Sequence, residues 1–329
     1  ILFILQIINY YISDLELIMQ SIILVSSSLL ISFILSKIFQ NYFIRNNFID
    51  KINKRSSHSV LATRSGGSTI VTNLIIISVV SYILNIQLFE YSLLVPLLLL
   101  FVVGLYDDIY DVDFKLKFIF QIIAAKIIID NGLILDNLHG FFGVYDLNSI
   151  FAQVFSVFII VSIINAFNFI DGLDGLASSI ILILLVSFEF FSKYTSDLLF
   201  LSIILFSSIL PVLIGNFSRN KKIFLGDSGS LFLGALASIY IMTATSNFYL
   251  IKPEFDLNKI IFIISIFFYP IVDFTRVILI RIINGKSPFH ADKNHIHHLL
   301  LKKYNSHKIV VGIIFAINLS IILLLQFVF

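Results

Sequence analysis

Cysteine is absent from all 329 residues, which excludes disulfides and thiolate metal sites outright. Charge is scarce. Only 13% of residues are charged against 58% hydrophobic, where a soluble domain carries about 25% charged residues. A chain of this length cannot hide that much apolar surface in one or two soluble cores. The composition therefore excludes a large soluble enzyme and points to a polytopic membrane protein. No internal repeat, low-complexity linker or separable soluble domain is visible. A single transmembrane domain over 1–329 is expected, with truncation allowed for at either end, because the chain starts at Ile1 and stops inside an apolar run. The first dozen residues are apolar but too short to span, and no small-residue cleavage site marks a signal peptide.

What is present is a series of apolar runs. A span needs about 20 mostly apolar residues, and ten segments approach that, at 16–36, 69–89, 91–106, 115–130, 149–168, 175–192, 197–215, 229–247, 258–282 and 308–329. Their continuous runs lack strict alternation, so they read as helices and the fold as an all-α bundle of about ten spans. The third is short, and the ninth is expected to break or tilt near Pro270. If the ten spans alternate, 17 Lys and Arg residues fall in the loops of one side. Only Lys193, Lys252 and Lys259 fall on the other. The positive-inside rule makes the first side cytoplasmic.

Five polar stretches share that side. "GLYDDIYDVDFKLKF" (104–118) carries Asp107 and Asp108, followed by Asp111 and Asp113. "NAFNFIDGLDGLA" (165–177) carries Asn165, Asn168, Asp171 and Asp174. "FLGDSGSLFLG" (224–234) carries Asp227. "KRSSHSVLATRSGGSTI" (54–70) is basic, and "SPFHADKNHIHHLL" (287–300) holds four histidines within nine residues. Each has an ordinary reading on its own. An Asp pair at a helix end caps it, Gly-Asp-Ser-Gly is a turn and an N-cap, and a basic loop is what the positive-inside rule demands. His58, His139 and His307 read as loop residues.

Coincidence on one face changes the reading. Converging carboxylates repel unless a cation sits among them, and hard oxygen ligands suit Mg²⁺, or Mn²⁺ in its place. Arg64, Lys117 and the histidines would hold phosphate charge. Glycines after Asp171, Asp174 and Asp227 allow close backbone approach. The chemistry suggested is phosphoryl transfer at a membrane surface, with a metal bridging a diphosphate and an apolar groove holding a lipid tail.

In order and approximate spacing these motifs resemble the polyprenyl-phosphate N-acetylhexosamine-1-phosphate transferases of the glycosyltransferase family 4 type, over about residues 45–305. The resemblance implies Mg²⁺-dependent transfer of a sugar-1-phosphate from a UDP-sugar to undecaprenyl phosphate, with release of UMP, in a multi-pass protein of the bacterial inner membrane whose dimers are common. By resemblance Asp107 and Asp108 belong to the acidic motif at the lipid phosphate and metal. Asp227 is the metal-ligand aspartate, with Asp108 beside it. Asn165, Asn168, Asp171 and Asp174 line the nucleotide and catalytic cleft, and His295, His297 and His298 contact the donor diphosphate. The pair Asp292-Lys293 before the His-x-His-His pattern resembles the branch that starts O-antigen, common antigen and teichoic acid chains. That favours UDP-N-acetylglucosamine as donor over UDP-MurNAc-pentapeptide. The family's basic loop reads His-x-x-Pro-Thr-Pro-Arg; here both prolines are replaced, while Arg64, Gly66 and Gly67 remain. A cation-coupled transporter, the rival class, would place its ionisable residues mid-span; here only Lys126, Glu189, Asp273 and Arg276 look intramembrane.

Overall fold

The structure is a computed structural model and describes residues 2–50, 60–110, 112–253, 258–285, 287 and 294–327. His58, Asp111, Asp292 and Lys293 lie outside the described residues. The chain is an all-α polytopic bundle. Its elements run α1 (Leu2–Arg45), β1 (Leu61–Thr63), α2 (Gly66–Ile83), α3 (Leu94–Tyr110), α4 (Phe114–Asp130), α5 (Ser149–Ile170), α6 (Leu176–Phe191), α7 (Leu199–Asn216), β2 (Lys221–Ile223), α8 (Gly226–Thr245), α9 (Lys259–Ile266), α10 (Phe268–Ile283), α11 (Ile296–Tyr304) and α12 (His307–Phe327).

Each of the ten expected segments is helical, with two refinements. The first dozen residues continue the first helix, which begins at Leu2. The ninth segment is two helices bent by 75° at Phe267. Pro270 explains the place of the break: it has no N–H to give the Ile266 carbonyl, so the ladder cannot run through. Among the described residues seven helices are long and apolar enough to cross a membrane, or eight if the bent pair is one span. The helices α4 and α6 have 17 and 16 residues, about 25 Å at 1.5 Å per residue, just short of a hydrocarbon core of about 30 Å.

Burial sets the radial order. In α8, 94% of the apolar window is buried, and in the α1 window from Leu15 only 17%. Thus α8 is the central post, packed on α2, α3, α5, α6 and α9, while α1 turns Ile18, Ile22, Ile23 and Leu30 outward, as a lipid-facing helix does. Small residues let neighbours close on the post. A Cβ at Gly67 of α2 would stand 2.3 Å from the Gly229 nitrogen of α8.

Polar side chains bind the outer helices where lipid offers no hydrophobic drive. Asn73 of α2 donates to Ser28 Oγ of α1 at 2.8 Å and to Ser208 Oγ of α7 at 2.5 Å. Ser32 donates to the Ser208 carbonyl at 2.7 Å. Asn73→Ala is expected to cost roughly 0.5–2 kcal/mol, read as a lowered unfolding midpoint in detergent with α8 unaffected.

Candidate active site

The polar motifs meet at the end of the bundle where α8 begins. A two-stranded parallel sheet draws them together: β1 pairs with β2 in the register Leu61↔Lys221, Ala62↔Lys222, Thr63↔Ile223. The pairing continues as Gly66 N–H to Phe224 O and Gly67 N–H to Leu225 O, both 2.9 Å. On the other side of β1, Asp50 N–H donates to Ala62 O at 3.0 Å. Leu61 and Thr63 occupy the positions where the related pattern has prolines, so strand pairing supplies the rigidity that prolines would. Arg64 thereby arrives beside α8. Its Nη2 donates to Asp50 Oδ1 at 2.8 Å, and its Nη1 lies 3.7 Å from Asp108 Oδ1.

The two adjacent aspartates of α3 have different partners. Asp108 reaches across to cap α8: Oδ1 accepts the Asp227 N–H at 2.9 Å and Oδ2 the Ser228 N–H at 3.0 Å. Its side chain is fully buried. These are two of the unpaired donors at a helix start, and Leu225, at the N-cap, supplies no side-chain bond to them. Gly226 has φ +75°, and a Cβ there would meet Asp108 Oδ2 at 2.5 Å. Asp107 accepts from Val112 N–H at 2.6 Å and from Lys117 Nζ at 2.7 Å. Lys117 donates a second bond, 2.8 Å, to Asp227 Oδ2. One ammonium thus joins the last turn of α3 to the first turn of α8.

The Asp171–Gly175 turn closes α5. Among the described residues no donor reaches the Asp171 carboxylate. Desolvation, and then the negative charges of Asp227, Asp108 and Asp174, push Asp171 well above the usual carboxylate range. Asp174 differs. Burial alone would raise it, but the hydrogen bonds and charges of His307 and Lys222 outweigh burial and hold it below the usual range. Lys222 pairs with Asp174 Oδ2, and His307 Nδ1 lies 3.1 Å from the same oxygen. His307, which reads as a loop residue in the sequence, is therefore a site-wall residue that ties α12 to this turn. His139 is an ordinary loop residue, bonded to the Thr245 carbonyl at 2.7 Å. Asn165 and Asn168 join helices: Asn165 donates to Gln121 Oε1 of α4 at 2.7 Å, and Asn168 to Ser230 Oγ of α8 at 3.0 Å.

The histidines form the opposite wall. His295 Nδ1 lies 2.7 Å from Asp273 Oδ2. His297 Nδ1 lies 3.0 Å from the Tyr269 hydroxyl, and its buried Nε2 has no partner. A Cβ at Gly172 would stand 3.4 Å from His297 Nε2 and 3.7 Å from His298 Nε2, so these rings face the acidic turn. Burial pushes His297 down to about 3, and neighbouring His298 adds to the effect. It is neutral near pH 7. Between pH 6.5 and about 3 the unfolded chain takes up a proton that the folded chain refuses, so stability rises with pH across that window. The unfolding midpoint of the wild type is expected to fall more steeply from pH 7 to 5 than that of His297→Gln.

Among the described residues one group of three donors gathers closely enough to take a cation. Asp273, His295 and His297 place potential ligand atoms within 4.8 Å of one another, but the first two are bonded together and His297 Nδ1 to Tyr269. Asp107, Asp171 and Asp227 offer the oxygen donors that a hard divalent ion prefers, but their carboxylates are not gathered as closely as that group. Asp107 and Asp227 converge on the Lys117 ammonium, and Asp171 is held up by burial and by three neighbouring carboxylates that Arg64 only partly offsets. Asp108 has both oxygens committed to α8.

The sequence model of glycosyl transferase family 4 matches residues 91–246, the stretch that holds all of these aspartates except Asp50 and Asp273. A Bacillus subtilis (strain 168) protein named probable undecaprenyl-phosphate N-acetylglucosaminyl 1-phosphate transferase is 33% identical over 299 residues, covering 88% of this chain and 80% of that protein. This chain belongs to glycosyl transferase family 4. The decaprenyl-phosphate N-acetylglucosaminephosphotransferase of Mycobacterium leprae (strain TN) is 34% identical over 231 residues, 65% of this chain and 58% of that protein. The undecaprenyl-phosphate alpha-N-acetylglucosaminyl 1-phosphate transferase of Salmonella typhi is 28% identical over 270 residues, 79% and 70% of the two chains. Within the family, the residues that sequence reasoning passed over are those that hold others: Asp50, Lys222, Asp273 and His307. Asp273 alone carried a signal, as a carboxylate within an apolar run.

Proposed function

We propose that this family 4 transferase moves GlcNAc-1-phosphate from UDP-N-acetylglucosamine to undecaprenyl phosphate, releasing UMP and leaving a lipid-linked diphosphate sugar that starts a cell-surface polysaccharide. One observation carries the reading: carboxylates from three separate segments converge, with Lys117 and Arg64, at one end of a lipid-facing bundle. The names of the relatives support the acceptor and sugar class. The 17 to 3 imbalance of basic residues supports a cytoplasmic site in the bacterial inner membrane.

In the proposed reaction an oxygen of the lipid phosphate attacks the β-phosphorus of the donor. A new P–O bond forms, the bond from that phosphorus to the bridging oxygen breaks, and UMP leaves with the electron pair. Mg²⁺, held by Asp227 with Asp171 and Asp107 near it, would supply charge neutralisation at the diphosphate. Lys117 holds Asp107 and Asp227 in register. His297 and His298 line the donor side opposite Asp171. A phosphate monoester has its second pKa near 6, so the acceptor is largely dianionic without a general base. Lys126 pairs with Asp130, Glu189 accepts from Ser196 and Ser202, and Arg276 donates to the Asn294 carbonyl. These local pairings do not build the mid-span chain that a transporter needs.

The test is UMP release by purified protein in detergent with undecaprenyl phosphate and Mg²⁺, offering UDP-GlcNAc, UDP-GalNAc and UDP-MurNAc-pentapeptide separately. Lipid-dependent release from UDP-GlcNAc supports the proposal. Release from the pentapeptide donor alone would overturn the choice of donor, and none from a folded, monodisperse protein with any donor would overturn the reaction.

A further inference from the structure

One face of α10 carries Tyr269, Asp273, Val277 and Arg281 at a spacing of four, all buried. This face is turned towards the histidine segment by the 75° break that precedes it. Asp273 uses both oxygens there. Oδ1 accepts the Ile296 N–H at 2.7 Å, and Oδ2 is 2.7 Å from His295 Nδ1. The first bond satisfies a free donor at the start of α11, for which the N-cap residue His295 supplies no side-chain bond. The second fixes a tautomer. An ionised carboxylate only accepts, so Nδ1 carries the proton and Nε2 is left an acceptor. That nitrogen lies 3.5 Å from Nη2 of Arg281, and a guanidinium only donates. The polarity therefore runs without conflict from Arg281 through His295 to Asp273. Arg281 in turn lies over the Phe169 ring, 5.5 Å from its centroid, two residues before Asp171.

We propose that Asp273 is a positioning residue for the transfer reaction. It sets the His295 tautomer and the start of α11, and so the place of His297 and His298 opposite the Asp171–Asp174 turn. This rests on the reading that the donor binds between that turn and the histidines. Asp273 touches no reacting atom; it acts through His295 and the α11 backbone.

Asp273→Asn separates this role from mere packing. An amide of the same shape still accepts from Ile296, but its NH₂ faces His295 Nδ1. The ring must then carry its proton on Nε2, against the Arg281 donor. Expected are an unchanged unfolding midpoint and a loss of kcat/KM for UDP-GlcNAc of roughly 10–100-fold, the scale for a misplaced site group. His295→Gln is expected to lose a similar factor, and the double variant no more than the worse single one. Ring ¹⁵N shifts of His295 should report Nδ1–H in the wild type and Nε2–H in D273N. Near-normal kcat/KM in D273N, multiplied losses in the double variant, or an Nε2–H ring in the wild type would each overturn the proposal. If the wild type releases no UMP, the functional reading falls separately, and the ring shifts alone decide whether Asp273 sets the tautomer.

Discussion

Asp227→Ala is expected to lower lipid-dependent UMP release by about 10³-fold or more, the scale of several kcal/mol of charge stabilisation withdrawn from a transition state, while the bundle stays folded. The carboxylate of Asp227 bonds Lys117 of α4, and its side chain is partly exposed, so its loss removes one ion pair between helices and no buried apolar packing. Its backbone N–H stays capped by Asp108, and Lys117 keeps Asp107. The check is UMP release beside an unfolding midpoint from the same preparation. A variant that keeps a tenth of the activity would remove Asp227 from the centre of the chemistry. One that is inactive and also melts early would make it a structural residue.

Asp108→Ala is expected to act by another route. It strips the cap from two buried N–H groups at the start of the central helix, each worth about 1–3 kcal/mol when left unsatisfied, and takes one of its acidic neighbours from Arg64. Lower stability and lost activity should appear together. Asp108→Asn is the informative partner. It keeps one acceptor, so part of the cap and part of the activity should survive, with the Mg²⁺ concentration for half-maximal rate unchanged. A tenfold rise in that concentration at unchanged stability would show Asp108 to be a metal ligand instead. The same pair of variants thus decides between two uses of one carboxylate.

Adjacent residues with such different uses show where the sequence stops being informative. That Asp107 and Asp108 sit at a helix end, and that Asp171, Asp174 and Asp227 share their face, follows from apolar run lengths and charge placement. Which oxygen faces which nitrogen does not. Asp108 becomes a cap because α3 and α8 approach closely at Gly226, a contact between residues over 100 positions apart. Lys117 reads in the sequence as a cation for phosphate charge, and only the structure shows it bonding two acidic motifs to each other. Leu61–Thr63 and Lys221–Ile223 are too short for a period-two pattern to register, so the sheet was invisible. His307 offers a lone imidazole in a loop, and only the Asp174–Lys222 pair gives it a role. The break at Phe267 was legible near Pro270, because a missing N–H is a local property.

The small sheet also bears on when the site comes into being. Ala62 pairs with Lys222, 160 residues further along, and at a synthesis rate of about 5–20 residues per second that interval is roughly 8–30 s. Until then the strand that carries Arg64 towards α8 has only the segment at Asp50 to pair with and lacks β2, and six helices must find their places without that pairing. The histidine wall is later still. A nascent chain therefore reaches the membrane as a lipid-embedded scaffold with no assembled catalytic centre, and the carboxylates are gathered only as its last third is made.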